Sequence, residues 1–223
     1  MKYKIYSACA SENPHNLVSL KNGKLNYEHI LNNKKGLSEL YNSVLINERL
    51  SNENDWVIFL HDDTVVNFNE DHLIKILSEN NDYDLLGVAG STEAKISSPC
   101  LWHLMNETPK VFPNPKIHSG CVYHDFDGNF VKSEFGPYPR RVILIDGVLM
   151  AIKINREDTL WFDTSLAKFH FYDLDFSLNA FINKRKTRVV NLPIIHLSPG
   201  LRSFTEEWKE GNDRFIQKWS NLL

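Results

Sequence analysis

Two acidic residues, Asp62 and Asp63, follow His61 at the end of an apolar run of five, Trp56-Val57-Ile58-Phe59-Leu60. Adjacent carboxylates repel each other and lose hydration when buried, and a divalent cation relieves both costs. Oxygen ligands suit Mg²⁺ or Mn²⁺, cations that accompany phosphate-bearing substrates. From these residues alone, a solvated turn that caps the next helix explains the pair equally well. A second cluster, Phe169-His170-Phe171-Tyr172-Asp173-Leu174-Asp175, places two carboxylates where a helix begins. The helix dipole accounts for one of them, since it favours negative charge in the first turn. The aromatic neighbours would desolvate a carboxylate and raise its basicity, which suits a general base for a hydroxyl proton. His196 follows strand-like residues 189–195. A lone histidine in that position is more often structural than a ligand.

The elements that must hold these groups alternate along the chain. Residues 3–8 are β-prone, and residues 11–35, rich in Asn, Lys and Ser, read mostly as loop. Leu37, Leu40, Tyr41, Val44 and Leu45 share a helical face, broken at residues 51–55. The apolar run at 56–60 has strand length and implies burial on both faces. A helix over 70–79 and a strand over 85–89, closed by Gly90-Ser91, complete an alternating pattern that predicts a layered α/β domain. In such sheets ligands gather beyond the carboxyl ends of strands, where Asp62 and Asp63 fall. Residues 92–140, richer in Pro, Gly and aromatics, are expected to be a mobile region facing substrate, with a turn at Asp125-Phe126-Asp127-Gly128. Strand character returns over 141–154, interrupted at Asp146-Gly147. Residues 173–183 read as helix and 188–192 as strand. The segment 203–223 reads as a helix whose apolar face packs on the domain or on a second subunit.

Composition narrows the classes. The 223 residues are 42% hydrophobic with a formal charge of −3, enough for one domain's core and without the basic stripe of a nucleic-acid binder. Three widely separated cysteines, Cys9, Cys100 and Cys121, argue against a disulfide framework and fit a reducing cytosol. The N-terminus runs directly into a strand without an apolar signal segment. No stretch approaches the roughly 18 consecutive apolar residues of a membrane span. The expectation is a cytoplasmic protein. Peripheral contact with the inner face of a membrane stays open through the apolar C-terminal face, although a strong basic face is lacking.

Taken in order, these segments resemble the GT-A glycosyltransferases, which use nucleotide-sugar donors. The nearest likeness is to the family-2-like inverting group, in its short bacterial branch related to the StrF domain. Val57 to Asp63 resembles the strand and DxD signature of that family, and Gly36 to Asn42 its helix beside the nucleotide. Leu86 to Ser91 resembles its xGVAGS strand, and Ile145 to Met150 the stretch facing the donor sugar. Phe171 to Asp175 resembles its acceptor-site motif, and Ile195 to Ser198 its late metal-binding histidine. The matching segments lie within residues 36–200. The resemblance implies a Rossmann-like GT-A fold, with a central mixed, mostly parallel sheet flanked by helices. Residues 1–200 would form the transferase domain, split into a nucleotide-binding half (1–91) and an acceptor-binding half (92–200), with 201–223 a helical extension.

The activity implied is metal-dependent transfer of a sugar from a nucleotide-diphosphate sugar, a UDP-sugar favoured, to a hydroxyl of a glycan or lipid-linked acceptor. Inversion and a place in bacterial surface polysaccharide biosynthesis follow from the same resemblance. Carried over residue by residue, Asp63, His196 and Asp62 would hold Mn²⁺ or Mg²⁺, and Asp173 would be the general base. Ser7, Asn42, His61, Asp62, Asp146 and Gly147 would face the nucleotide and donor sugar. Trp102, His103, Tyr172 and Asp175 would line the acceptor side. His61 stands where the signature has its first acidic residue, and no counterpart is evident for the second-strand Asp that reads uracil. Two other classes compete. One is a metal-dependent phosphoesterase or nucleotidyltransferase, for which the chain lacks a dense Asp/His set. The other is a non-catalytic nucleotide-sugar-binding module, less expected with Asp173 and His196 both present.

Overall fold

In the computed structural model, which describes residues 1–97, 99, 114–126, 128–166, 168–198 and 204–221, the described residues form thirteen strands and five helices. The chain opens with β1 (Tyr3–Ala8), α1 (Leu17–Asn22), β2 (Tyr27–Ile30), α2 (Leu37–Ser51), β3 (Trp56–Leu60) and β4 (Thr64–Val66). Next come α3 (Glu70–Glu79), β5 (Leu85–Gly87), β6 (Ala89–Ser91) and a long hairpin, β7 (His118–Phe126) with β8 (Asn129–Gly136). β9 (Arg140–Val142), β10 (Leu144–Ile145) and β11 (Leu149–Lys153) lead to α4 (Tyr172–Ile182), β12 (Thr187–Val189), β13 (Ile194–His196) and α5 (Glu206–Trp219).

β3 lies deep in the molecule, and all five of its side chains are buried. Their alternation feeds two cores. Trp56, Ile58 and Leu60 pack with α3 and α5, whereas Val57 and Phe59 pack with α2 and α4. A seven-stranded sheet runs β2-β1-β3-β11-β5-β12-β9, and a second, six-stranded sheet runs β10-β6-β7-β13-β4 with β8 added on β7. Both sheets are mixed and flanked by helices, the expected α/β architecture. Parallel pairing does not predominate, however. In the first sheet β1–β2, β1–β3 and β5–β12 are parallel, but β11 runs against both β3 and β5, and β9 against β12. The chain turns back at Asp146-Gly147, so β11 must enter the centre of the sheet in the reverse direction.

The helix predicted over 70–79 is α3, where Asn69 caps the first turn by accepting from the His72 amide at 3.0 Å. Residues 11–35 are more ordered than their composition suggests. β2 pairs in parallel with β1 as an edge strand, its side chains half-exposed and lacking the apolar alternation that marks a strand in sequence. The strand expected over 85–89 is two strands, because the chain leaves the first sheet after Gly87 and enters the second at Ala89. Glycine is required beside this crossing: a Cβ on Gly90 would lie 2.1 Å from the Leu144 carbonyl oxygen. The strand expected over 188–192 is shorter: β12 ends at Val189, and the chain joins the second sheet only at Ile194, where β13 begins. Trp102 and His103 lie outside the described residues. No helix among the described residues is long and apolar enough to cross a membrane.

Candidate functional site

The site forms at the carboxyl end of β3. β11 starts beside that end, with Leu149 opposite Leu60, and the His61 amide donates to the Val148 carbonyl at 3.2 Å. The second sheet then brings in the distant histidine. β13 pairs antiparallel with β4, placing His196 opposite Thr64, and the Leu197 amide donates to the Asp63 carbonyl at 2.8 Å. Asn16, fully buried, ties the loop down from behind. Its amide nitrogen donates to Ser7 Oγ and to the His61 carbonyl, both at 3.0 Å, and its oxygen meets His29 Nε2 at 2.7 Å.

A turn at 62–63 joins β3 to β4 and brings His61 and Asp63 together. His61 Nδ1 lies 3.9 Å and His196 Nε2 3.3 Å from Asp63 Oδ1. These three residues form a group able to hold a metal ion. Among the described residues Asp63 Oδ1 and His196 Nε2, both buried, have no hydrogen-bond partner beyond their mutual 3.3 Å contact, an arrangement that costs energy unless a cation completes it. Two imidazoles and one carboxylate form a donor set that fits a divalent transition ion. Burial alone would raise the Asp63 carboxyl, but His196 and His61 outweigh it and hold it below its ordinary range. Burial, and next the neighbouring His196, push His61 downward, which favours the neutral imidazole that binds metals.

Asp62 takes the opposite course. Its Oδ2 accepts from the Ala10 amide at 3.1 Å, outside the metal-binding group. Of the expected cation trio, Asp63 and His196 stand in this group together with His61, while Asp62 lies outside it and lines an adjoining cleft. This cleft, about 240 Å³, has walls of Ala8, Ala10, Leu37, Tyr41 and Phe169 and a floor of His61, Asp62 and Asp63. Asn33, just past β2, adds a polar group to the wall. Tyr41 is held in place by stacking on Phe59, ring centroids 3.9 Å apart. Tyr41, at helical spacing, read first as core, whereas Phe169 belonged to the aromatic cluster before Asp173.

Asp173 sits in the first turn of α4. Phe171, the residue before the helix, adopts a left-handed backbone (φ 66°), a conformation that costs a non-glycine residue about 1–3 kcal/mol. Its ring is wedged against Trp208 and Phe215 of α5, which holds the turn in place. Asp173 Oδ2 accepts from the Gly147 amide at 2.7 Å. Burial, and next the charge of Asp146, raise the Asp173 carboxyl to about 7. Asp146 itself accepts from the Val148 amide at 3.0 Å and lies beside this carboxyl.

Four residues expected to face ligands are engaged within the protein. Asn42 uses both ends of its amide on the backbone of Phe162, each at 2.9 Å, so it fastens a loop. Ser7 is buried, with its hydroxyl taken by Asn16. Asp175, expected on the acceptor side, is 0% exposed and bound by Trp219 Nε1 at 2.8 Å and Lys218 Nζ at 2.7 Å. Tyr172 is also buried, and its hydroxyl lies 2.7 Å from His61 Nε2. In each case the polar group satisfies the interior, because a buried polar atom left alone is costly.

Sequence and structure comparisons place this geometry. The model of the glycosyltransferase-like family matches residues 3–219, while no curated protein sequence matches. Among solved structures, A197 from STIV is similar with a TM-score of 0.56 at 14% identity, over 89% of this chain and 86% of that one. TarS from S. aureus gives 0.54 at 12% identity, over 98% of this chain and 39% of its own. GalNAc-T7, in a structure with UDP, GalNAc and Mn²⁺, gives 0.57 at 11% identity, over 98% of this chain and 48% of its own. The chain therefore spans less than half of each of the two larger proteins. Identities this low speak for a shared fold, and the match over residues 3–219 shows that the chain belongs to the glycosyltransferase-like family, as a glycosyltransferase of GT-A fold.

Proposed function

We propose that this enzyme transfers a sugar from a nucleoside-diphosphate sugar, with UDP the favoured nucleotide, to a hydroxyl of a glycan or lipid-linked acceptor, inverting the anomeric carbon. The observation that carries the reading is that a group able to hold a cation, a cleft of about 240 Å³ and a basic carboxylate converge at one strand end. His61, Asp63 and His196 would hold the cation, and their two nitrogens favour Mn²⁺ over Mg²⁺. A bound cation would supply Lewis-acid neutralisation of the charge on the departing diphosphate. The GalNAc-T7 structure, which contains UDP, GalNAc and Mn²⁺, supports the same ligand classes here.

Asp173 performs the proton chemistry. Its Oδ2 is anchored by the Gly147 amide, and the carboxylate takes the acceptor's hydroxyl proton. The acceptor oxygen forms its bond to the anomeric carbon as the bond from that carbon to the diphosphate oxygen breaks. The electron pair leaves with the nucleoside diphosphate. Asp146, beside Asp173, is placed to bind the donor sugar. On the outer hairpin, Tyr123 and Phe130 stack with centroids 5.3 Å apart, and Phe130 is 60% exposed. Such aromatic faces suit sugar rings, consistent with a glycan acceptor of the kind built into bacterial surface polysaccharides.

Titration calorimetry of UDP and GDP, with and without Mn²⁺, on wild type and Asp63→Ala tests the reading. Metal-dependent binding of one diphosphate, lost in the variant, is expected and names the nucleotide for a sugar-transfer screen. No binding of either diphosphate with Mn²⁺ present refutes the UDP/GDP-sugar donor. Release of phosphate from simple esters without sugar transfer would reassign the chemistry to a hydrolase.

A further inference from the structure

We propose that Tyr172 is a positioning residue that holds the His61 ring in the tautomer with Nδ1 free, so that His61 meets the cation through Nδ1. The inference rests on the metal-dependent reading above. Tyr172 Oη lies 2.7 Å from His61 Nε2 and 3.4 Å from the carbonyl oxygen of Gly147. A carbonyl only accepts, so the single phenolic proton goes to Gly147. The phenol then offers His61 a lone pair, and Nε2 must carry the hydrogen. A neutral imidazole has one N–H, which leaves Nδ1 as the lone pair, on the side of Asp63 Oδ1. In the opposite arrangement, Tyr172 would donate to His61, strand the Gly147 carbonyl, and turn an N–H toward the cation-binding group.

The tyrosine is fixed in this role by its surroundings. It is buried, and its ring packs edge-on against Tyr41 with centroids 5.7 Å apart. A Cβ on residue 147 would lie 2.3 Å from Tyr172 Oη, so the hydroxyl reaches this point only because residue 147 is glycine. Both polar groups of Gly147 are thus bound by consecutive residues of α4: its N–H by Asp173 and its carbonyl by Tyr172. The orientation of His61 and the placement of the base share one frame, a hydrogen-bonded support of the kind that sets ligand tautomer and metal affinity.

The test uses the full chain and Tyr172→Phe, which removes the hydroxyl and keeps the ring. Two-bond ¹H–¹⁵N NMR of the metal-free wild type is expected to show His61 as the Nε2–H tautomer. Titration with Mn²⁺ alone, followed by electron paramagnetic resonance, is expected to show affinity about tenfold or more weaker in Tyr172→Phe and abolished in Asp63→Ala. An Nδ1–H tautomer in the wild type overturns the proposal without reference to any metal or variant. Unchanged Mn²⁺ affinity in a folded Tyr172→Phe, with Asp63→Ala inactive in binding, overturns the positioning role and leaves the metal reading standing. Failure of the wild type to bind Mn²⁺ removes that reading and the proposal together.

Discussion

Replacing Lys218 with Met isolates the contact that joins the C-terminal helix to the base-bearing turn. Lys218 Nζ lies 2.7 Å from Asp175 Oδ1 and 2.8 Å from Asp163 Oδ2. Without it, Asp163 keeps the Ser165 amide and hydroxyl, but among the described residues Asp175 keeps Trp219 alone and its Oδ2 already lacks a hydrogen-bond partner. Removing one partner of a buried pair costs about 3–5 kcal/mol. The Lys218 side chain is 32% exposed and Trp219 still donates, so the expected loss falls to about 2–3 kcal/mol, or about 5–10 °C in Tm for a chain of this length. The pH dependence identifies the cause. Burial raises the Asp175 carboxyl, and Lys218 opposes that rise, so the variant's carboxyl climbs further. A carboxyl with a folded pKa above its unfolded value of about 3.9 stabilises the fold at low pH, and that contribution is lost as pH rises through the folded value. Wild type and Lys218→Met should therefore differ less in mildly acidic solution than at neutral pH, with Asp175→Asn restoring most of the loss in the double variant. Denaturant unfolding followed by circular dichroism at both pH values measures this. A loss below about 0.5 kcal/mol at neutral pH, or one that grows as pH falls, refutes the assignment of Lys218 as counter-ion to a buried carboxylate.

Two further perturbations separate chemistry from architecture. Asp173→Asn should lower kcat by about 10²–10⁴-fold while diphosphate binding, followed by calorimetry, stays intact. For the wild type, kcat should rise about tenfold per pH unit and level off above about 7, because Asp173 works only after losing its proton; a flat profile between about pH 5 and 8 removes it as the base. Asn42→Ala should cost about 1–3 kcal/mol of stability, since it strands both backbone groups of Phe162. Its UDP affinity should stay within about twofold of wild type, and a larger fall would return Asn42 to the nucleotide site.

Much of the scaffold was legible locally. An unbroken apolar run that ends in charged residues has few homes other than a buried strand meeting a site, and β3 with His61, Asp62 and Asp63 follows that logic. The spacing of Leu73, Ile74 and Leu77 bounded α3 for the same reason, because helical periodicity is carried within a dozen residues. The resemblance to GT-A enzymes drew on the order of such local segments and pointed to the fold and family that the model and the comparisons show.

Side-chain direction was decided by tertiary packing. Asp62 and His61 are neighbours, yet one turns to Ala10 and the other to Asp63, because the chain turns at 62–63 and the pairing of β4 with β13 sets which side chains meet His196. Asn42 and Asp175 occupy segments adjoining the site, but their partners, Phe162 and Trp219, are remote in sequence and become neighbours only when α2 and α5 pack. A polar side chain has the same identity whether it faces a ligand or satisfies the interior, and desolvation in the folded chain selects between the two. Periodicity therefore located the strand ends and helices, while the pairing of the two sheets determined which carboxylates and histidines stand together.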